Sequence, residues 1–142
     1  MAAGVGRIEL PWPPTVNMYY RSIVLNGSPR VLISKDGREY RKTVERHLYA
    51  ARVPRFDVPC WMLIEAAPPD RRRRDLDNIV KPLQDSLQHG GLLSDDCIID
   101  LLAVARCAPV AGGAVRLTLA ALPLLHREPL LEFLAAMWEA LK

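Results

Sequence analysis

A run of ten residues in the middle of the chain, VPCWMLIEAA at positions 58–67, decides which fold classes are available. It is mostly apolar, contains β-branched and aromatic side chains, and ends at Pro68 and Pro69, which predicts a buried central strand. Apolar residues at helical spacing follow at positions 77–88, and another apolar run begins near position 97. This order of a strand, a helix and another strand predicts a sheet with helices packed against it.

The other elements follow from the same patterns and from turn signals. Strands are predicted at positions 7–10, 97–105 and 114–122, helices at 35–52, 77–88 and 128–141, and an irregular segment at 15–33 with a small hairpin around Asn26 and Gly27. We therefore expect an α/β (α+β) fold with a small mixed β-sheet flanked by helices. The length of 142 residues suits a single domain, placed at positions 1–125, with a C-terminal amphipathic helix at 126–142 packed on the same domain.

The cysteines and the apolar stretches indicate the cellular context. The three cysteines form no CxxC pair and lie in or beside apolar stretches, so we expect buried, reduced thiols and neither a disulfide framework nor a zinc site. The first residues lack the apolar core of a signal peptide. The longest apolar stretch, near positions 108–125, is interrupted by Arg116, Pro123 and a Gly-Gly pair, so no membrane span is expected. These features predict a cytoplasmic protein.

Charge is divided unevenly along the chain. Positions 1–74 contain fourteen Lys and Arg against seven Asp and Glu, whereas positions 75–142 contain five against nine. A basic half beside an acidic half is unusual for a protein that only binds nucleic acid, because carboxylates repel phosphates. The combination makes sense if the carboxylates hold a cation.

Four aspartates form the candidate metal site. Asp75 and Asp77 lie where the helix at 77–88 begins, and Asp95 and Asp96 follow its end. Carboxylates within a few ångströms of one another repel unless a cation or a proton intervenes, and hard oxygen ligands favour Mg²⁺ or Mn²⁺ over zinc. Each aspartate alone is better explained by a helix cap or a turn, but beside four arginines the set indicates a catalytic site. The helix is roughly 17 Å long, so the sequence leaves open how the two pairs meet.

Basic side chains adjoin the acidic pairs. Four of them are consecutive: Arg71, Arg72, Arg73 and Arg74. Such a run is often only a solvated loop, but next to a metal cluster it favours a phosphate clamp whose DNA affinity falls with salt. Lys81 follows Asp77 by four residues, so it either forms an ion pair with Asp77 on the helix surface or stabilises charge on a scissile phosphate.

Three segments, taken together, resemble a known protein family. They are LPWPPTVN at 10–17 with YYR at 19–21, PDRRRRDLDN at 69–78 with Lys81, and Gly91 followed by Asp95 and Asp96. Their order and spacing resemble those of the RusA Holliday-junction resolvases over roughly positions 8–122. The DRRRRDLDN block is highly specific, whereas PWPP alone would be weak evidence. The tail at 126–142 lies outside the resemblance.

The resemblance implies an assembly, a cofactor and a set of roles. Members of the family are homodimers with a mixed α/β fold, require a divalent metal, usually Mg²⁺, and make paired symmetric nicks in four-way DNA junctions. Arg74 falls in the family's DNA-contacting arginine run, which here includes Arg71, Arg72 and Arg73. The implied catalytic residues are Asp75, Asp77, Asp96 and Lys81. The first three also match the metal ligands, with Asp95 beside them, and we expect them to converge in the folded dimer.

Two other functions remain open at the level of sequence. A non-enzymatic, structure-specific DNA-binding protein could use the same arginines, but it would bind with or without Mg²⁺ and never cleave. A metal nuclease could act on other branched DNA, such as flaps or replication forks. Carboxylates weaken phosphate binding when no metal is present, which disfavours the first alternative.

Smaller expectations concern residues around the site. Trp12, Tyr19 and Tyr20 either stack on unpaired bases at a junction centre or seal the edge of the core. Asp85 lies on the same helix side as Lys81 and is expected to pair with it, whereas Asp70 is expected only to end the preceding strand.

Overall fold

A computed structural model describes residues 4–122, 130–140 and 142 of the chain. The strands are β1 (Gly6–Pro11), β2 (Tyr20–Leu25), β3 (Ser28–Ile33), β4 (Cys60–Ala67), β5 (Ile99–Arg106) and β6 (Ala114–Ala121). The helices are α1 (Val16–Tyr19), α2 (Lys35–Ala51), α3 (Asp77–His89) and α4 (Leu130–Ala140). A single turn of 3₁₀-helix, Asp96–Ile98, precedes β5.

The main sheet has four strands in the order β1-β6-β4-β5. β6 is antiparallel to both of its neighbours, whereas β4 and β5 are parallel, with Trp61 beside Leu101. Parallel neighbours require a crossover, and α3 supplies it between β4 and β5. The expected mixed sheet with flanking helices is therefore confirmed.

One face of the sheet carries the core. Alternate residues of β4 are fully buried on this face, and so are those of β6 that lie beside them. The buried residues of these two strands are Cys60, Met62, Ile64, Ala66, Val115, Leu117 and Leu119. The prediction of buried thiols is therefore confirmed for Cys60 but wrong for Cys97, which is exposed because it lies in the turn before β5. Helices α2 and α3 complete the core with side chains at helical spacing, such as Val44 and Leu83. This shared core holds α3, and with it the candidate site, against the sheet.

Local signals explain where α2 begins and ends. The Ser34 hydroxyl accepts a hydrogen bond from the Gly37 amide at 3.0 Å, and Arg52 leaves the helix in the left-handed conformation with φ of 52°. The prediction of a helix at 35–52 is therefore confirmed to within one residue. α3 is likewise confirmed, at Asp77–His89 against the predicted 77–88.

The segment at 15–33 is more regular than the sequence indicated. Asn26 and Gly27 have φ of 51° and 74° and form the tight turn between β2 and β3, each of six residues. The one-turn helix α1 precedes the hairpin and was not predicted, because four residues are too few to show a helical period. The hairpin's root at Tyr20 and Ile33 packs on the core, and its outer part is exposed.

The C-terminal helix is observed at Leu130–Ala140. The predicted positions 128, 129 and 141 lie outside the described residues. Its expected packing on the same domain stays a prediction, and the Trp138 side chain is 65% exposed. Among the described residues, no helix is both long and apolar enough to cross a membrane.

Candidate active site

Lys81 is held between two carboxylates on the outer side of α3. Its ammonium nitrogen lies 2.7 Å from Asp85 Oδ1, one turn further along the helix, and 2.6 Å from Asp96 Oδ2. The hydrogen bonds that Lys81 donates to Asp85 and then to Asp96 raise the pKa of Lys81. The expected pairing with Asp85 is confirmed, whereas the alternative pairing of Lys81 with Asp77 is not observed.

Asp96 reaches Lys81 because of the turn that begins β5. Asp95 caps this turn by accepting a hydrogen bond from the Cys97 amide at 2.9 Å, which is the main cause of its lowered pKa. The prediction that the strand starts at position 97 is wrong by two residues, because the capped turn occupies Asp96–Ile98. The turn places Asp96 beside the middle of α3, with its side chain 30% exposed.

Asp75 and Asp77 lie at the start of α3 and are exposed. Because β4 and β5 run parallel, the chain reaches Asp75 after the end of β4 but Asp96 before the start of β5. The two pairs are therefore offset along α3, and the Lys81 ammonium contacts Asp96 of the second pair. Within the described residues, no three Asp, Glu, His or Cys side chains form a group that could hold a metal ion.

The donor set nevertheless has the chemistry that Mg²⁺ prefers. Asp75, Asp77, Asp95 and Asp96 offer only carboxylate oxygens, the ligands of hard divalent cations. These oxygens are the right type of ligand for Mg²⁺, but within the part of one chain that the structure describes they do not come together into a metal-binding group.

The arginine loop at 70–74 is organised by Asp70, a role that the sequence analysis missed. Both Asp70 oxygens accept from the Arg74 guanidinium, at 2.5 and 3.0 Å, and Asp70 Oδ2 also accepts from Arg72 Nε at 3.0 Å. These bonds, led by the one from Arg74, hold the pKa of Asp70 well below its usual range. The four-residue spacing of Asp70 and Arg74 was the available signal.

The loop is also tied to the end of β5. Arg106 donates a hydrogen bond of 2.5 Å to the Arg74 carbonyl oxygen. Arg74 is the most sheltered of the four arginines, with its side chain 22% exposed, whereas Arg71, Arg72 and Arg73 are exposed. The loop therefore presents a positive surface directly before Asp75.

Trp12 lies beside this loop. It lines a shallow recess of about 500 Å³ together with Met18, Tyr40, Pro69 and Arg74. Trp12 is half-buried and packs against the core, which accords with the expectation that it seals the core edge.

The two tyrosines have different environments. Tyr19 is fully buried, and its hydroxyl accepts from Arg41 Nε at 2.6 Å and from Ser86 Oγ at 3.2 Å. Tyr20 donates its hydroxyl hydrogen to Asp85 Oδ2, and burial followed by this bond raises the Tyr20 pKa. The sequence gives no signal for the Tyr20–Asp85 pair, because 65 residues separate the two.

A small α+β domain in which an arginine loop leads into a helix that begins with carboxylates has the features of a nuclease. The chain belongs to the RusA endodeoxyribonuclease family: a family model described as Endodeoxyribonuclease RusA matches residues 11–119. The match includes the arginine loop, α3 and the turn that carries Asp95 and Asp96.

Individual relatives agree with the family match. The chain is 38% identical over 113 residues to Crossover junction endodeoxyribonuclease RusA of Shigella sonnei, which covers 79% of this chain and 91% of that protein. It is 37% identical, with the same coverage, to the protein of that name from Escherichia coli K12. The one from Enterobacteria phage HK97 is 41% identical over 105 residues, covering 73% of this chain and 84% of the phage protein.

Proposed function

We propose that this protein is a structure-selective endonuclease that resolves four-way (Holliday) DNA junctions by hydrolysing phosphodiester bonds. The observation that carries the proposal is the arrangement along α3, where Asp77 begins the helix, Lys81 follows one turn later and Asp96 contacts Lys81. The arginine loop leads directly into this arrangement. Three relatives that match most of the chain are named crossover junction endodeoxyribonucleases.

We further propose that the cofactor is Mg²⁺, with Mn²⁺ as a possible substitute. Asp75, Asp77 and Asp96 would hold it, with Asp95 beside them. When bound, a divalent ion lowers the pKa of a coordinated water and offsets charge on the leaving oxygen. The carboxylate donor set supports this ion over zinc, which takes nitrogen and sulfur ligands more readily.

The proposed functional unit is a homodimer. One chain does not bring three of the aspartates together within its described residues, so a second copy would complete the site. A dimer with two-fold symmetry would also place two sites on opposed strands of a junction that has the same symmetry. This arrangement accounts for paired nicks.

The chain's own side chains have separate tasks in this proposal. The arginine loop neutralises backbone phosphates and sets the register of the DNA. Lys81 places its ammonium where negative charge develops on the phosphate oxygens, which is worth more in a preorganised site than in water. The arginine loop directly precedes Asp75 and Asp77 in the chain, so a phosphate bound by the loop would lie next to these two carboxylates.

The decisive experiment incubates purified protein with a labelled mobile four-way junction, with and without Mg²⁺. Symmetric nicks are expected only with the metal, and a flap and a plain duplex of the same sequence should be cut far less. A protein that binds the junction equally with and without Mg²⁺ but never nicks it is the binding module. Preferential cutting of the flap would identify the nuclease of other branched DNA.

A variant pair tests the acidic site itself. Asp75→Asn is expected to keep junction binding and lose Mg²⁺-dependent cleavage. Asp57→Asn is the matched control, because Asp57 is an exposed aspartate in the loop before β4. Cleavage by Asp75→Asn at the rate of the unaltered protein would remove Asp75 from the mechanism.

A further inference from the structure

We infer that Asp85 and Tyr20 act as positioning residues that hold the Lys81 ammonium in place for the reaction. This inference rests on the proposed function, since Lys81 has a task only if the phosphodiester bond is cleaved. It goes beyond that proposal by assigning roles to two residues outside the acidic pairs and the arginine loop.

The geometry forms a chain of three contacts that crosses the fold. Tyr20, at the start of β2, donates to one oxygen of Asp85, and the other oxygen accepts from Lys81 at 2.7 Å. Lys81 in turn contacts Asp96 at 2.6 Å. Both Asp85 oxygens are therefore engaged, and its side chain is only 18% exposed. An exposed lysine normally samples many rotamers, and the contacts with Asp85 and Asp96 reduce this sampling.

Tyr20, the last residue in this chain of contacts, is held in place by the core. The Tyr20 ring packs edge-on against the buried Tyr19 ring, with centroids 4.7 Å apart and planes at 70°. The Tyr19 hydroxyl is fixed by Arg41 and Ser86. Tyr20 thus cannot shift without disturbing the core, which makes it a firm support for Asp85.

The two carboxylates that flank Lys81 differ in function. Asp96 belongs to the proposed metal site, so its oxygens would be shared with an ion when one is bound. Asp85 lies outside that site and would keep its contact with Lys81, which would hold the ammonium beside the site. An ammonium displaced by even about 1 Å from the productive position can cost on the order of 100-fold in rate.

The first test observes Lys81 directly and needs neither metal nor DNA. The chain contains four lysines, at positions 35, 42, 81 and 142, so ¹⁵N-lysine labelling gives a simple ammonium NMR spectrum, and loss of a signal in Lys81→Arg assigns it. Asp85→Asn is expected to increase the mobility of the Lys81 ammonium group several-fold, and Tyr20→Phe to increase it less. Glu39→Gln, which removes the exposed Lys42–Glu39 pair at 3.3 Å, should leave the Lys81 signal unchanged.

The second test measures junction cleavage at saturating DNA together with junction binding. Asp85→Asn should lower the single-turnover rate about tenfold or more, with the junction Kd and the Mg²⁺ concentration for half-maximal rate within about twofold. Asp85→Glu restores a carboxylate and should recover part of the rate. Tyr20→Phe should have little further effect in the Asp85→Asn background, because Tyr20 acts through Asp85.

The outcomes separate this inference from the proposed function. Unchanged Lys81 mobility in Asp85→Asn overturns the inference, whether or not the protein cleaves junctions. A tenfold rise in the Mg²⁺ requirement without a change in Lys81 mobility also overturns it, since Asp85 would then be an ion ligand. If Lys81 becomes mobile and the rate of Asp85→Asn equals that of the unaltered protein, the positioning has no catalytic role and the inference fails. If the unaltered protein does not cleave junctions, the proposed function is wrong, and the NMR measurement still shows whether Asp85 holds the Lys81 ammonium.

Discussion

The Lys81 ammonium nitrogen lies 2.6 Å from Asp96 Oδ2, although the rest of α3 and a loop separate the two residues in the chain. Asp96 lies in the turn that begins an edge strand, and Lys81 lies one turn inside a helix that shares the hydrophobic core with the sheet. The contact between Lys81 and Asp96 therefore depends on the placement of β5 beside β4. It also identifies Lys81 as the positive charge that pairs with Asp96.

Replacing Lys81 should change the rate of DNA cleavage without changing the affinity for the junction. Lys81→Met keeps the apolar stem but removes the ammonium, so we expect the cleavage rate at saturating junction to fall about 100-fold or more. The Lys81 side chain is 53% exposed, so water can reach its two partner carboxylates once the ammonium is removed, and the free energy of unfolding should change by only about 1 kcal/mol. Single-turnover cleavage, junction binding and urea unfolding measure the three quantities.

Lys42→Met is the control for this substitution. Lys42 also pairs with an acid on its own helix, Glu39, but on the exposed face of α2. Its cleavage rate should match that of the unaltered protein. A Lys81→Met variant that cleaves normally would show that the ammonium has no part in the reaction.

Much of the acidic site follows from the sequence, but its connections do not. The aspartates, Lys81 and the arginine run were predicted from residue type and spacing, and the Lys81–Asp85 pair from its helical separation. The Lys81–Asp96 contact depends on the parallel placement of β5, and the Tyr20–Asp85 contact joins a hairpin to a helix. Contacts of this kind are set by tertiary packing, so no local pattern contains them.

The fold shows the same division between local and long-range information. The helices α2 and α3 were predicted to within one residue because a cap or a regular apolar period marks them. The central strand begins at Cys60, two residues later than predicted. The order β1-β6-β4-β5 pairs strands from opposite ends of the chain, and the sequence analysis did not predict it.

The arginine loop should contribute to affinity through individual phosphate contacts. Arg71 and Arg73 form no ion pair within the described residues, whereas Asp70 holds Arg72 and Arg74. Each of Arg71→Gln and Arg73→Gln is therefore expected to weaken junction binding and to reduce the slope of log K against log salt by roughly one. Fluorescence anisotropy titrations at several salt concentrations give the slope.

Arg55→Gln provides the comparison for these variants. Arg55 is exposed and precedes β4, so it lies at the opposite end of that strand from the arginine loop. Its salt dependence should equal that of the unaltered protein. Equal slopes for Arg55→Gln and Arg73→Gln would mean that the loop has no special contact with phosphate.

The Asp70 carboxylate should stay ionised in moderately acidic solution. The Arg74 guanidinium, bound to both oxygens, holds the Asp70 pKa far below the usual value near 4. A pKa that is lower in the folded chain adds stability above the unfolded pKa, and this contribution is lost as the pH falls toward the folded pKa. The carboxyl ¹³C shift of Asp70 should therefore remain that of a carboxylate at pH 3. A protonated Asp70 at that pH would contradict the ion pair.

Two adjacent glycines test how the arginine loop is supported. Gly112 and Gly113 both have positive φ, 77° and 71°, so alanine is strained at either position. A Cβ at Gly112 meets open space, but one at Gly113 would lie 2.8 Å from Trp12 Cβ and 2.9 Å from Pro69 Cδ. Gly112→Ala should cost about 1 kcal/mol and Gly113→Ala about 2–4 kcal/mol of unfolding free energy. Pro69 directly precedes Asp70, so Gly113→Ala should also weaken junction binding at temperatures where the variant is folded. Equal unfolding free energies for the two variants, measured in urea, would show that Trp12 and Pro69 do not pack against this turn.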